Sequence, residues 1–445
     1  MNPTPRERRP RPTAGGGADN VSGVLLAPPT TDVMVDLEPR ETMWEVGEGF
    51  TVAGYGFNGR VPGPTIEASV GETVVIRLKN HLPEPTTIHW HGLRVPAAMD
   101  GTEMVQQPVP PGGTFEYRFV VPDAATFWYH PHTNETVQME KGLYGAFVVR
   151  DPADPTFDAE RVLILDDLKL DRSGQLARFG GRKERHDGRR GDVLVVNGHV
   201  RPTWEMAAGH IVRWRFVNAS SSRYARLGIG GRPFHIVGTD GGLIQAPAVA
   251  HDLLLAPAER VDLAVGPFRE GEFVPIQALP YSRGMIDEEG GVYANVRVGA
   301  RKASVARIPS TLRRIESLAT EAARPTREVH LQGRMSLRRG VDWHIDGEPH
   351  HHADPVRVGE LQIWDVVNDT GMDHPFHLHG FFFQVLAVND QPPPYRAWKD
   401  TVNVPVKGRV RLAWLPDDRP GSWMYHCHIL EHHAAGMMAH FDVVA

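Results

Sequence analysis

Short apolar runs rich in β-branched and aromatic residues recur at 73–78, 114–121, 161–165, 211–217, 361–367 and 410–414, and Gly, Pro, Asn or Asp punctuates the chain between them. Runs of this length with this punctuation predict an all-β protein of sandwiches or barrels, not alternating βαβ units. The runs also repeat. Gly71 leads through one of them to Asn80, Gly209 leads to Asn218 and Gly359 leads to Asn368, an interval of nine residues each time. Nine residues further on stand His89 in the first copy and His377 in the third, with His91 and His379 two positions later; the middle copy has Leu227 and Ile229 there. A shared interval in three places predicts three related domains, at 20–152, 153–300 and 325–445, with a disordered tail over 1–19 and a linker over 301–324. The middle domain lacks these histidines, and its expected role is spacing and packing. Leu312, Ile315 and Leu318 predict one short packing helix in the linker.

Composition narrows the class. A chain of 445 residues with 41% hydrophobic content can fill several cores, and 45 Gly with 37 Pro suit many short strands and turns. A net charge of −6 argues against a nucleic-acid partner. No apolar run reaches the length of a membrane span. Arg8-Arg9 has the look of a twin-arginine export signal, but the stretch 10–17 is polar or helix-breaking, so no complete signal peptide is expected.

The candidate chemistry starts in the stretch 421–440. It holds Cys427, the one cysteine of the chain, so no intramolecular disulfide is possible. On a strand, His426 and His428 point one way and Cys427 the other. One backbone can then serve two metal sites. Cys427, His432 and Met437 supply three ligands of a His2Cys site with a weak axial Met, the blue-copper pattern, and a second His is owed from elsewhere. Four His-X-His pairs stand out: His89-Trp90-His91, His130-Pro131-His132, His377-Leu378-His379 and His426-Cys427-His428. Eight imidazoles are too many for one tetrahedral zinc and suit a cluster of three ions, two pairs coming from the first domain and two from the third. Such a cluster must lie between those domains. His374, three residues before His377, is the best candidate for the missing ligand of the mononuclear site. His350-His351-His352 lies in a Gly- and Pro-flanked stretch and reads as a solvated loop.

These motifs, in this order, resemble the three-domain multicopper oxidases of the bacterial laccase type, over roughly residues 30–445. The resemblance rests on His89-Trp90-His91-Gly92, His130-Pro131-His132, His374-Pro375-Phe376-His377-Leu378-His379 and His426-Cys427-His428 with His432 and Met437. It implies three cupredoxin-like Greek-key domains and four copper ions. It assigns His374, Cys427, His432 and Met437 to type 1 copper and His89 and His377 to type 2. His91, His130, His132, His379, His426 and His428 go to the type 3 pair. The implied reaction is one-electron oxidation of phenolic or aromatic donors coupled to reduction of dioxygen to water. Electrons enter near the surface, with His432 as the exit ligand, and pass through Cys427 to His426 and His428. Asp100, eleven residues after His89, matches the family's acid near type 2 copper; the bland alternative is a turn residue in Met99-Asp100-Gly101. Where related enzymes often carry Glu after the type 1 His, this chain has His433, which leaves proton delivery to His433 or another route. A monomer in an extracytoplasmic setting, with no nucleic-acid partner and no membrane span, completes the expectation. A metallo-oxidase acting on Cu(I) or Fe(II) is the alternative, weakened because the segment 281–325 contains only Met285. A copper-free structural relative is the third reading, and it would be expected to have lost ligands that are all present here.

Overall fold

The computed structural model describes residues 32–336 and 340–445. The predicted tail at 1–19, with Arg8 and Arg9, lies outside the described residues. Three apolar cores follow one another along the chain. Leu37, Ile76, Trp90, Tyr117 and Phe147 anchor the first. Leu163, Trp214, Leu227, Ile276 and Val296 anchor the second. Trp343, Trp364, Phe376, Trp414 and Phe441 anchor the third. Each core is closed between two sheets: three and four strands in the first, seven and five in the second, and five and six in the third. This is the all-β sandwich architecture that the alternating runs predict. Aromatic edge-to-face contacts stiffen the third core. Trp364 and Trp414 meet at 5.1 Å and 90°, a geometry that adds about 0.5–1.5 kcal/mol per pair beyond area burial.

The threefold repeat has a physical cause. Gly71, Gly209 and Gly359 all take left-handed φ, between 76° and 88°, where a side chain would be strained. The strand that follows each one ends at or one residue before the repeated Asn, whose side chain folds the next turn. Asn80 donates from Nδ2 to the carbonyls of Glu84 and Val109, both at 2.9 Å. Asn218 donates to Arg223 and Leu255 at 2.9 Å. Asn368 donates to Met372 at 2.8 Å and Val404 at 3.0 Å. In each copy Oδ1 also accepts an amide two residues on, from Leu82, Ser220 or Thr370. The Asn is therefore a buried latch that sets where the next strand begins. That strand is His89–His91 in the first copy, Ala225–Ile229 in the second and His374–Leu378 in the third.

One expectation fails. No helix forms around Leu312, Ile315 and Leu318; the segment runs extended along the molecule. Its amides bond sideways, Leu312 to the Gln245 carbonyl at 2.9 Å and Leu318 to Gln384 Oε1 at 3.0 Å. These lateral partners displace the i to i−4 bonds a helix needs. The apolar residues still pack, Leu312 against the second core and Leu318 against a small cluster with Leu386. Among the described residues the α-helices are three short ones, Glu135–Gln138, Arg182–Asp187 and Leu430–Ala434, and the last touches the other two. No helix of the described residues is long and apolar enough to cross a membrane.

Candidate metal centre

The strand Gly421–Cys427 carries the centre. Trp423, Tyr425 and Cys427 face the third core, while His426 faces the other way, as the two-residue period of a strand requires. His426 pairs across the sheet with His377, and Phe376 with Cys427. In the first domain His89 pairs with His130 across the strands His89–His91 and Ala125–His130. The first and third domains thus present their histidines to one another, and all eight are buried.

Ring hydrogen bonds define which nitrogens are left over. His89 Nδ1 donates to the Asp100 carbonyl and His377 Nδ1 to the Asp400 carbonyl, each at 2.9 Å. The Nε2 atoms of both are buried without a partner. His91 Nε2 donates to Asp400 Oδ1 at 3.1 Å, and His130 Nδ1 donates to the Pro131 carbonyl at 2.9 Å. Their remaining nitrogens face each other at 3.5 Å. The His428 ring lies 5.1 Å from His91 and 5.4 Å from His130, and neither of its nitrogens is bonded. His379 Nδ1 donates to Asp100 Oδ2 and His426 Nδ1 to the Cys427 carbonyl, both at 2.9 Å. Their Nε2 lone pairs then oppose each other at 3.0 Å, beside the unpartnered Nε2 of His132. Facing lone pairs in a dry site repel, and buried orphan nitrogens are costly. A cation between them relieves both.

These environments keep the rings neutral. Burial, and then the neighbouring imidazoles, push His130, His379 and His426 well below their ordinary pKa. Neutral imidazole is the ligand form.

On the opposite face of the strand, His374 Nδ1, Cys427 Sγ and His432 Nδ1 converge. The separations are 3.4 Å from Sγ to His374, 3.8 Å to His432 and 3.3 Å between the two nitrogens. The far nitrogens are tied back, His374 Nε2 to Thr370 Oγ1 at 2.8 Å and His432 Nε2 to the His186 carbonyl at 2.9 Å. Met437 is fully buried in the same core cluster as Cys427, and its carbonyl accepts the Cys427 amide at 3.1 Å. Two imidazole nitrogens with one thiol sulfur form the donor set of a blue-copper site.

The structure brings the expected histidines and Cys427 into buried groups, with Met437 in the same core as Cys427, and it corrects two details. His432 does not lie at the surface. The helix Arg182–Asp187 of the middle domain covers it through His186, and Trp343 lies over its ring at 4.1 Å. The middle domain is therefore more than a spacer. Its Arg260 also bonds Asp400 Oδ1 at 2.7 Å, the carboxylate that holds His91. Asp100 is at once a turn residue and a buried contact of His89 and His379. His433 stacks on His426 at 4.3 Å and bonds Glu135, which lies 4.0 Å from His132. Glu135 and Asp400 were not legible in advance: one lies three residues past His132, and the other sits in an ordinary Lys-Asp-Thr stretch.

Three sandwich domains, with a Cys–His site joined through one strand to an eight-histidine cluster, define an oxidase of the blue-copper class. Comparison with known proteins agrees. Profiles described as multicopper oxidase match residues 40–154, 160–274 and 320–445. The chain is 31% identical to a multicopper oxidase of Mycobacterium tuberculosis, covering 98% of this chain and 92% of that protein. A multicopper oxidase of Campylobacter jejuni described as a metallo-oxidase superposes with a TM-score of 0.83 at 31% identity, over 94% of this chain and 92% of that one. A laccase-like multicopper oxidase from Ochrobactrum gives 0.83 at 29% identity, over 94% and 99%. The chain belongs to the multicopper oxidase family. It is an oxidoreductase that uses dioxygen, its cofactor is copper, and its domains are cupredoxin-like.

Proposed function

We propose that this enzyme is laccase-like, oxidising phenolic and aromatic donors at the site of His374, Cys427, His432 and Met437. His89 and His377 hold the type 2 ion. His91, His130 and His428 hold one type 3 ion, and His132, His379 and His426 hold the other. When bound, copper supplies one-electron oxidation of the donor at the mononuclear site and four-electron reduction of dioxygen to water at the cluster.

The chain's own residues do the rest. Thr370 and the His186 carbonyl aim two ring nitrogens at Cys427 Sγ. Trp343, 2% exposed, shields that group from water. The backbone from His426 to His428 keeps the two sites within a few bonds of each other. Asp100 and Asp400 lock the tautomers of four cluster rings. The Glu135–His433 pair lines, together with His132, a cleft of about 450 Å³, and the His433 ring stacks on His426 behind it. A proton moves inward there between His433 Nδ1 and Glu135 Oε1.

The observation that carries the phenolic reading is Arg283. Its guanidinium is fully buried, with Nη1 4.0 Å from Met372 Sδ, two residues before His374. Burial, then the Arg283 charge, push His374 down to about 3. Arg190, Arg223 and Arg283 share the single carboxylate of Glu288, and Arg223 also meets Asp167. The Arg283 charge thus acts on His374 directly, and a metal-ion donor brought beside that ring meets a repulsion that a neutral phenol does not. The Ochrobactrum enzyme, described with activity towards lignin model compounds, supports the same donor class. The metallo-oxidase reading keeps two observations in its favour: the Campylobacter jejuni relative is described as a metallo-oxidase, and Met285, 63% exposed, lays its thioether over Gly371 beside the same site. Each metal site is assembled within one chain, which supports a monomer, and the family resemblance supports an extracytoplasmic location.

The test is oxygen uptake by the copper-loaded protein with a methoxyphenol and with Cu(I) in parallel. Phenol turnover establishes the laccase reading. Turnover with Cu(I) alone moves the enzyme to metal oxidation and overturns it.

A further inference from the structure

Of the triple histidine, His350 is exposed in a turn and His352 is exposed as well, as a solvated loop requires, but two of the three residues are not loop. His351–His352 forms a short strand parallel to Met438–Val444, in a register that sets His352 directly beside His440. Along Met438–Val444, Ala439, Phe441 and Val443 face the core, while His440 and Asp442 point outward on the same face. His352 and His440 meet ring to ring at 4.3 Å and 75°. His352 Nε2 lies 3.9 Å from Asp442 Oδ2. The other oxygen, Oδ1, accepts the Ser422 hydroxyl at 2.5 Å, so Oδ2 is the one left for a ligand. Ser422 stands opposite Asp442 across the antiparallel pair.

We propose that His352, His440 and Asp442 form a further copper-binding site, outside the mononuclear site and the cluster, on the outer face of the third domain. The chemistry follows from the donor set. Two imidazoles and one carboxylate suit a borderline divalent ion, and Cu(II) binds such donors most tightly in the first-row series. Register fixes two of the donors rather than chance: a parallel pair holds side chains of matched residues together on one face. Asp442 is oriented by Ser422 as outer-shell partners orient metal carboxylates. His440 is held below its ordinary pKa by burial and by the adjacent His352, so a neutral ring is available at pH 7. The side chain of His352 is 60% exposed, which gives an ion an open approach and lets the ring turn onto it.

The site is distinct from the cluster in its residues, so the fully copper-loaded enzyme is the right material. Equilibrium dialysis of that enzyme against Cu(II) reads ions bound beyond the resident set, and electron paramagnetic resonance reads nitrogen coupling on the added ion. The expected result is one further ion with nitrogen ligands. Its affinity falls by more than about tenfold in His440→Ala and in His352→Ala, the loss that even an outer-shell partner costs. Asp442→Asn weakens it as well. Oxygen uptake stays at the level of the unchanged enzyme in all three. The proposal is overturned if the loaded enzyme takes up no further ion. Equally tight binding by the His352→Ala/His440→Ala double variant overturns it too, because the ion then belongs elsewhere.

Discussion

Asp100 and His379 lie 279 residues apart in the chain and share a 2.9 Å hydrogen bond, Nδ1 of the ring donating to Oδ2. The Asp100 carbonyl accepts His89 Nδ1 at 2.9 Å as well. One residue of the first domain thus orients a histidine from each side of the cluster. Asp100→Ala removes the carboxylate and leaves the carbonyl. Cluster copper should be lost to a chelator at about 10–100-fold lower competitor concentration, with the thiolate–copper absorption of the mononuclear site unchanged. Copper retention equal to that of the unchanged enzyme contradicts the role given to Asp100.

Arg260 reaches from the middle domain to a carboxylate in the third. Against the cost of burial, it holds Asp400 well below the usual carboxylate range, and both side chains are buried. Arg260→Met leaves Asp400 buried without its cation, a change that costs about 3–5 kcal/mol. Thermal unfolding should shift down strongly, and His91 should lose its fixed orientation with it. Stability within error of the unchanged protein would show that the Arg260–Asp400 pair is not what ties these domains together.

The repeat was legible because one interaction enforces it. A buried Asn latch needs a fixed distance from the left-handed Gly that opens each strand, so Asn80, Asn218 and Asn368 appear at one interval. The copper ligands were legible for a similar reason: two imidazoles on one strand face must be two residues apart. Asp400, Arg260 and Glu135 were hidden because their partners come from other domains, and no local spacing marks a contact between residues 140 or 298 positions apart. The linker misled because apolar spacing of three fits an extended strap as well as a helix. The burial of His432 was missed because a middle-domain helix covers it, and nothing near His432 in sequence signals that helix.

Glu135 and His433 supply the carboxylate and ring that face the cleft. Positioned proton transfer contributes about 10²–10⁴-fold. Glu135→Gln should therefore slow steady-state oxygen uptake by about a hundredfold, while reduction of the mononuclear site by donor under argon keeps its rate. Uptake at the normal rate would remove this pair from the proton path.

The apoprotein should be acid-sensitive. Burial, reinforced by neighbouring imidazoles, pushes His130, His379, His426 and His428 well below 6.5 in the fold. In the unfolded chain the same rings take protons near that value. Below it the unfolded state binds more protons, so stability rises with pH and is lost as pH falls. The apoprotein Tm should drop between about pH 7 and pH 5, with copper release from the loaded form over the same range. A Tm that stays flat across that range contradicts the burial of neutral rings.

Cys427 is the hinge of the whole account, since its sulfur belongs to one site and its neighbours His426 and His428 to the other. The most direct test is copper content together with donor-driven oxygen uptake in Cys427→Ser. The account predicts that the variant keeps its cluster copper, loses the thiolate–copper absorption and takes up no oxygen with any donor. Oxygen uptake at the unchanged rate, with the cluster fully loaded, would contradict a single electron route through Cys427.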